Sequence, residues 1–350
     1  MRPSGIALTV AALCCSAAPA ATPAPAIDNP TSIDIAGAYA STQPIVGPAQ
    51  AQVVELINAM SGGTLTARLL EPGEIVPPAQ YLNAVGTGSV DAAWTASGNW
   101  VAKDSAFALF SGIPFGRGAR DYLGWLKYGG GETLFKQLHA RYNVEALPCG
   151  ISPAGSSGWF RDELARPEQF KDLKIRATGL AGVVLRRLGA QTSVIRDDEV
   201  ASAFELNTVD AAILDSPALD AGLGIDKFAK NLYFPAWHQP VTLNELLISK
   251  KKWAALTKPQ RAVIQSACDA VMLRQLAEGD SVQGKAAAEL AKSGVKLLRW
   301  SPEVLAALRK AWLESADELG AKSEDFKKIL ASFNAFRQVQ KEWREFSETD

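Results

Sequence analysis

The sequence FKDLKIRATGLAGVVLRRLGAQTSVIRDDEVASAFELNTVDAA, residues 170–212, contains the pattern that decides the fold. Lys174 and Arg176 alternate with apolar residues, which is typical of a strand, because successive side chains of a strand point to opposite faces. An apolar run at helical spacing follows directly, and Gly189 closes it. The pattern therefore predicts that a strand ends, and a helix begins, just after Arg176.

This position gives Arg176 a predicted function. Ligands of open α/β sheets bind at the edge where strands end and helices begin, and a carboxylate is favoured there by a guanidinium fork and by the positive end of a helix dipole. We interpret Arg176 as an anion clamp, a side chain that grips a ligand carboxylate. The alternative is an arginine that is solvated or paired with a surface acid, as most arginines near strand ends are.

One supersecondary unit occurs twice in the chain. The segments AVGTGSVDAAW, residues 84–94, and AFELNTVDAAI, residues 203–213, both run from an amphipathic helix through a Gly or Asn terminator into V-D-A-A. Before the first copy, residues 32–69 alternate strand, helix and strand patterns, which is typical of an α/β fold. The repeat predicts two related lobes.

The order of the patterns predicts how the lobes are divided. The first lobe is predicted to contain residues 21–147 and 238–300, and the second residues 148–237. The chain would then cross twice between the lobes, which makes a hinge with a ligand cleft beside it. Residues 301–350 are predicted to form helices that pack across the lobes or onto a partner. The last of these helices has a wide apolar face, which would also suit a homodimer.

The N-terminal segment has the form of a secretory signal. Residues 1–20 contain a basic start, an apolar run too short to span a membrane, and an A-x-A site, so we expect cleavage and a periplasmic location. Cys14 and Cys15 lack the small preceding residue of a lipidated cysteine, so no lipid anchor is expected. In the mature chain, Cys149 and Cys268 are either paired or separate core residues.

The charge of the chain excludes one class of partner. Lysine and arginine number 36 and aspartate and glutamate 37, for a formal net charge of −1. Such a balance creates no long-range field that would attract nucleic acid or an anionic membrane. We expect a small-molecule ligand instead.

The chain resembles the DctP-type periplasmic solute-binding proteins, the receptor components of TRAP transporters, and most of all their branch that binds 2-oxo acids and small monocarboxylates. The motifs that carry the resemblance are EPGEIVPPAQYLNAVGTGSVDAAWTAS, FSGIPFG, YGGGETLF, SGWF, FKDLKIRATGLAGVVLRRLGA, FPAWHQP and SFNAFRQVQKEW. The resemblance implies an α/β fold, a two-lobed clamshell like the type II periplasmic binding proteins, with a helical C-terminal segment. It also implies an interlobe site for a small carboxylate and delivery of that ligand to TRAP membrane subunits.

The resemblance extends to individual residues of the site. It implies that Arg176 grips the ligand carboxylate and that Trp100 and Trp159 line the cleft. Asn99 is a predicted polar partner, and Trp237 is a further aromatic candidate. The alternative for each tryptophan is a place in the core, where tryptophans are more often found.

The resemblance is incomplete at the positions that hold the metal ion of the monocarboxylate branch. Gly155 stands where that branch has a glutamine, Ile213 and Leu214 replace Glu-Trp, and Gln239 replaces a glutamate. A hard cation would lose oxygen ligands at these positions, so we expect no metal and no other cofactor, and we do not expect a 2-oxo acid held through one. Asp215 is a candidate replacement ligand or a group that recognises an amine, and a solvated acid is the alternative.

The sequence thus predicts a TRAP-type solute receptor that is not an enzyme. The alternative within the same fold is a protein that has lost transport and acts as a sensory or assembly partner. A hydrolase is a more distant alternative, because GISPA and AGSSG do not match the G-x-S-x-G motif. His139 and His238 are the only histidines and lack H-E-x-x-H spacing, which argues against a metalloenzyme.

Overall fold

The computed structural model describes residues 30–347, so the predicted signal peptide and both of its cysteines lie outside the described residues. The strands are, in chain order, β1 (Thr31–Gly37), β2 (Leu65–Leu70), β3 (Ala92–Ala96), β4 (Val144–Pro153), β5 (Gly158–Phe160), β6 (Lys174–Arg176), β7 (Gln191–Ser193), β8 (Ala211–Ala212), β9 (Asn231–Phe234), β10 (Val241–Ser249) and β11 (Lys296–Arg299). They form two separate sheets, one in each lobe.

The helices cover the faces of these sheets and form the C-terminal segment. They are α1 (Val46–Met60), α2 (Tyr81–Thr87), α3 (Ala119–Tyr128), α4 (Gly131–Ala140), α5 (Gly179–Arg187), α6 (Val200–Glu205), α7 (Pro217–Asp220), α8 (Lys250–Ala255), α9 (Lys258–Lys292), α10 (Pro302–Lys322) and α11 (Glu324–Ser347). Within residues 30–347, no helix combines the length and the apolar character that a membrane span requires.

Local sequence explains where the main elements begin and which face they bury. In β1, Ile33 and Ile35 alternate with more exposed residues and lie in the core. Two of the long helices start at side-chain caps. The Thr257 hydroxyl accepts from the backbone N–H of Gln260 at the start of α9, and Ser301 caps α10 in the same way.

The first sheet has the order β2-β1-β3-β10-β4, in which β10 runs antiparallel to both of its neighbours. The second has the order β11-β9-β5-β8-β6-β7. The predicted repeat takes equivalent places in both. After α2, β3 pairs in parallel with β1, and after α6, β8 pairs in parallel with β6. Each V-D-A-A segment is therefore an inner strand of its own lobe, and the α/β clamshell expected from the sequence is confirmed.

Two strands lie outside the lobes that the sequence assigned to them. β4 continues in the first sheet to Pro153, past the predicted boundary at residue 148. β11, predicted within the first lobe, pairs with β9 in the second sheet. A strand pattern gives no information about its partner, and β11 is reached only because α9 is long enough to carry the chain between lobes. The described chain therefore crosses three times between the sheets, after β4, after β9 and after α9.

A disulfide fixes α9 to the first sheet. Cys149 of β4 and Cys268 of α9 are bonded across 119 residues of sequence, and both are buried. The same helix packs against α1 and β4 of the first lobe and reaches α7 and β11 of the second. The pairing that the sequence left open is thus present, at the helix that joins the lobes.

The C-terminal helices bridge the two lobes. α10 packs against α5 of the second lobe, and α11 packs against α3 and α4 of the first. The predicted apolar face of α11 divides along its length: Phe326 and Phe333 are buried, whereas Val339, Trp343 and Phe346 are exposed. A homodimer through the exposed part stays a prediction.

We predict that the disulfide stabilises the native state substantially. Closing a loop of this length removes entropy from the unfolded chain, so the double variant Cys149→Ser/Cys268→Ser is expected to lose about 2–5 kcal/mol of unfolding free energy. Urea denaturation of the oxidised protein, the reduced protein and the double variant measures this. Equal midpoints for all three would show that the cross-link contributes nothing.

Candidate functional site

A cavity of about 460 Å³ opens between the lobes, within the range of small-molecule sites. Its wall takes residues from the strand ends of both sheets and from the segment that enters β10. They include Tyr39, Gly98, Asn99, Ser111, Arg176, Thr178, Gly179, Asp197, Ile213, Asp215, His238, Gln239 and Thr242. We call this cavity the interlobe cleft.

Arg176 lies in the wall of the interlobe cleft with its guanidinium held by the second lobe. Its Nε donates to the carbonyl oxygen of Ile195 at 3.0 Å, and its Nη1 donates to the carbonyl oxygen of Ile213. Its Nη2 lies 2.5 Å from Oδ1 of Asp197. The Arg176 side chain is 12% exposed and that of Asp197 is 62% exposed. Among the described residues these bonds use three of the five guanidinium donors, so two remain for a ligand.

The N-terminus of α5 adjoins the guanidinium, as the sequence predicted. Arg176 ends β6, Thr178 precedes α5, and Gly179 is its first residue, with a left-handed φ of 53° that favours glycine. The first turn of a helix has backbone N–H groups without intrahelical acceptors, and its dipole is positive there. Residues 178–181 line the cleft, so this helix end and the guanidinium favour the same negatively charged ligand group.

Two carboxyl groups of the second lobe have raised pKa values. Asp215 is exposed at the cleft, yet the protein around the cleft limits its hydration and raises its pKa to about 6, with a further contribution from the charge of Asp197. Asp220 lies behind it, and burial raises its pKa to about 7 although the indole N–H of Trp159 donates to Oδ2 at 2.8 Å. Ionising either group is therefore unfavourable without a cationic partner.

His238 borders the cleft and is 7% exposed. Its Nδ1 is buried and has no hydrogen-bond partner among the described residues. Burial lowers its pKa to about 4, so the imidazole is neutral at physiological pH. A neutral imidazole can donate or accept at this atom, according to its tautomer.

Tyr39 contributes a neutral phenol from the first lobe. It follows β1, lines the cleft and lies edge-on to Trp94, with 5.8 Å between ring centroids. Burial and the charge of Asp215 both raise the pKa of its hydroxyl, so that it stays protonated. The first lobe thus offers hydroxyl and amide groups to a ligand, since Asn99 also lies in this wall.

Three of the six predicted site residues line the interlobe cleft. Arg176 and Asp215 do so from the second lobe, and Asn99 does so from the first. The Nδ2 of Asn99 donates to Oγ1 of Thr95 at 2.9 Å, which fixes the orientation of the amide. The structure therefore brings together the predicted anion clamp, a polar partner and an acid.

The three predicted tryptophans lie in the core and not in the wall of the cleft. The indole N–H of Trp100 donates to Oε1 of buried Glu245 at 2.7 Å, and that of Trp159 donates to Asp220. Trp237 stacks on Phe115 with 5.6 Å between ring centroids. This corrects the expectation of aromatic ligand contacts, because the first two indoles satisfy buried carboxylates and the third fills the hinge.

Sequence reasoning missed Tyr39, Asp197 and His238 as site residues. The sequence could have indicated Tyr39, because it follows the end of a parallel strand at the same edge as Asn99. No sequence pattern indicates Asp197, since its position beside Arg176 depends on the turn after β7. His238 lies in the return segment, where no periodicity indicates which side chain meets the cleft.

Three of the positions that the resemblance linked to a metal ion, Gly155, Ile213 and Leu214, have no oxygen donor on their side chains. A Cβ atom added to Gly155 would overlap the backbone oxygen of Asp215, so the segment after β8 occupies the space that a longer side chain at 155 would need. In the part of the chain that the structure describes, no three histidine, cysteine or acidic side chains are grouped as metal ligands. The loss of Glu-Trp at Ile213 and Leu214 is consistent with this packing.

Two α/β lobes around a cleft with an arginine in its wall are typical of a solute receptor of the clamshell type. The family model for DctP, bacterial extracellular solute-binding protein family 7, matches residues 35–323. The chain belongs to this family and is a TRAP-type extracytoplasmic solute receptor, as the resemblance indicated. The members of the family are solute-binding proteins and not enzymes.

Individual relatives agree with this assignment. A monocarboxylate 2-oxoacid-binding periplasmic protein from a Nostoc species is 31% identical over 296 residues, 85% of this chain and 81% of that protein. A TRAP solute-binding protein from Bordetella bronchiseptica, with copurified calcium and picolinate, has a TM-score of 0.85 at 29% identity, over 91% of this chain and 95% of that one. One from Pseudoalteromonas atlantica, with sodium and pyruvate, has a TM-score of 0.85 at 28% identity, over 91% and 97%.

We predict that Asp215 and Asp220 reduce stability at neutral pH. Their folded pKa values lie above the ordinary 3.8, so the native state binds protons more tightly than the unfolded state between about pH 4 and pH 7. Their destabilising effect is therefore present above the folded pKa values and disappears as the pH falls. The variant Asp215→Asn/Asp220→Asn should be more stable than the wild type at pH 7.5, and this advantage should shrink toward pH 5.

Denaturation curves of the ligand-free proteins at several pH values measure this difference. Asp198→Asn is the matched control, because Asp198 is an exposed acid paired with Arg196 and its pKa is lowered. An Asp215→Asn/Asp220→Asn difference that stays constant from pH 7.5 to pH 5 would contradict the assigned direction.

Proposed function

We propose that this receptor binds a small carboxylate in the interlobe cleft, with Arg176 as the anion clamp, and delivers it to TRAP membrane subunits. The observation that carries the proposal is the guanidinium of Arg176, which three protein acceptors hold in the wall of the cleft while two of its donors have no acceptor among residues 30–347. We further propose a periplasmic location after removal of residues 1–20, which the family supports.

The clamp is suited to a carboxylate by both geometry and charge. A guanidinium offers parallel donors that match the two oxygens of a carboxylate, and such charge-assisted bonds are stronger than neutral ones. The adjoining α5 N-terminus adds backbone N–H groups and a positive dipole. No Lys side chain lines the cleft, so the carboxylate has one cationic partner in the described wall.

Closure of the lobes would strengthen these bonds. Tyr39 and Asn99 line the same cleft as Arg176 from the first lobe, and water leaves such a cleft when the lobes close. Charged hydrogen bonds become stronger as the local dielectric falls. Asp197 partly neutralises the guanidinium, so that Arg176 does not lie unpaired in a partly buried position.

We propose that the ligand is held without a bridging cation, in contrast to relatives whose structures contain calcium or sodium. The packing at Gly155 supports this, as does the replacement of oxygen donors by Ile213 and Leu214. If so, treatment with EDTA in a sodium-free buffer should change the dissociation constant of a carboxylate ligand by less than about twofold, because neither calcium nor sodium takes part. Isothermal titration calorimetry with and without EDTA and with and without sodium measures this, and a large loss of affinity that calcium or sodium restores would contradict it.

We predict that Arg176→Ala strongly weakens carboxylate binding while the fold is kept. Losing a charged partner in a desolvated site costs about 2–5 kcal/mol, so affinity should fall by about 30-fold or more. Arg176→Lys keeps the charge but not the fork and should bind with intermediate affinity. Calorimetry and thermal shift with a panel of small carboxylates measure both variants.

Arg196→Ala is the matched control for this experiment. Arg196 is an exposed arginine that pairs with Asp198 and does not line the cleft, so its removal should leave binding unchanged. If Arg176→Ala retains wild-type affinity for the carboxylates that bind, the proposed anion clamp is wrong.

A further inference from the structure

The charges of the interlobe cleft do not balance. Its described wall contains one permanent cation, Arg176, and two acids, Asp197 and Asp215. Asp197 pairs with Arg176, whereas no cationic partner is found for Asp215 among the described residues. With both acids ionised the wall carries a net charge of −1, and a bound carboxylate would make it −2. Uncompensated charges are costly in a cleft that loses water.

The described wall of the cleft offers no second positive charge to correct this. His238 is neutral because burial lowers its pKa, and Tyr39 and Asn99 are neutral donors. The positions around Asp215 lack the usual oxygen ligands of a cation, since Gly155 leaves no room for an added side chain and Leu214 has no oxygen donor on its side chain. A positive charge on the ligand would balance an ionised Asp215.

We propose that the ligand is a zwitterion, a small carboxylic acid with a protonated amine, whose carboxylate binds Arg176 and whose ammonium group binds Asp215. The inference rests on the proposed function and specifies its ligand class. The ammonium replaces the metal ion of the relatives as the positive charge of the site.

The sheet places Arg176 and Asp215 at the same edge of the second lobe. Arg176 at the end of β6 pairs in register with Ala212 of β8, and Asp215 follows Ala212 by three residues at the same edge. The Arg176 Nη1 bond to the carbonyl oxygen of Ile213 fixes the segment between them. Arg176 and Asp215 thus both lie at one edge of the second sheet.

His238 lies near the proposed ammonium position. His238 and Asp215 both line a small recess at the side of the cleft, and the buried Nδ1 of His238 has no partner among the described residues. The unprotonated nitrogen of a neutral imidazole accepts a hydrogen bond, and an ammonium group has three donors to share between acceptors. An ammonium group in this recess would therefore adjoin Asp215 and a neutral imidazole, with no cationic neighbour from the recess.

The test compares acids that differ only in the amine. Alanine, β-alanine and 4-aminobutyrate are titrated into the mature protein, with propionate as the partner of the first two and butyrate as the partner of the third. At least one amino acid is expected to bind at least about tenfold more tightly than its deaminated partner, because only it neutralises Asp215. Equal or tighter binding of the deaminated acids would overturn this inference and leave the proposed function intact.

The variant Asp215→Asn should remove or reverse the preference for the amino acid over its deaminated partner. Asp215→Asn keeps the shape of the side chain and removes its charge, so it should lose at least about tenfold in affinity for the amino acid and should bind the deaminated acid as well as or better than the wild type. Asp198→Asn should leave both affinities unchanged. If Asp215→Asn retains the amino acid preference, Asp215 does not bind the ammonium group and the inference is wrong.

The same titrations separate this inference from the function on which it rests. If no acid of either series binds, or if Arg176→Ala binds them as the wild type does, the anion clamp itself is contradicted. Both proposals then fail together.

Discussion

The guanidinium of Arg176 is the feature on which the rest of the site depends. Two backbone carbonyl groups and one carboxylate hold it, and these come from the turn after β7 and from the end of β8. A long side chain that would otherwise sample many rotamers is thereby fixed before a ligand arrives. Preorganisation of this kind lowers the entropic cost of binding. It also links the position of the clamp to the strand that carries Asp215.

The repeated unit explains how this arrangement forms. In each lobe a parallel strand carries a V-D-A-A segment to the edge of the sheet that faces the other lobe. The first copy leads to Asn99, six residues beyond its last alanine, and the second leads to Asp215, three residues beyond its last alanine, so each copy brings a polar residue to the cleft. The disulfide at Cys149, the helix α9 and the bridging helices α10 and α11 then hold the lobes around it. Arg176, Asp197, Tyr39 and His238 come from other segments and complete the wall.

Local patterns predicted the parts of this structure that depend on local interactions. The junction between β6 and α5 and the repeat could be found because periodicity and terminators lie within about 20 residues. The tryptophans were misassigned because their partners are distant in sequence: Trp100 bonds to Glu245, and Trp159 bonds to Asp220. The disulfide and the pairing of β11 are likewise set by α9, whose path no local pattern determines. Asp197 meets Arg176 through a turn that has no sequence signal.

A crystal structure of the mature protein with its bound solute would show directly whether Arg176 binds the ligand carboxylate. We expect a carboxylate of the ligand within hydrogen-bond distance of the Arg176 guanidinium, with no metal ion between ligand and protein. Density for a ligand away from Arg176, with the guanidinium bonded only to Ile195, Ile213 and Asp197, would contradict it.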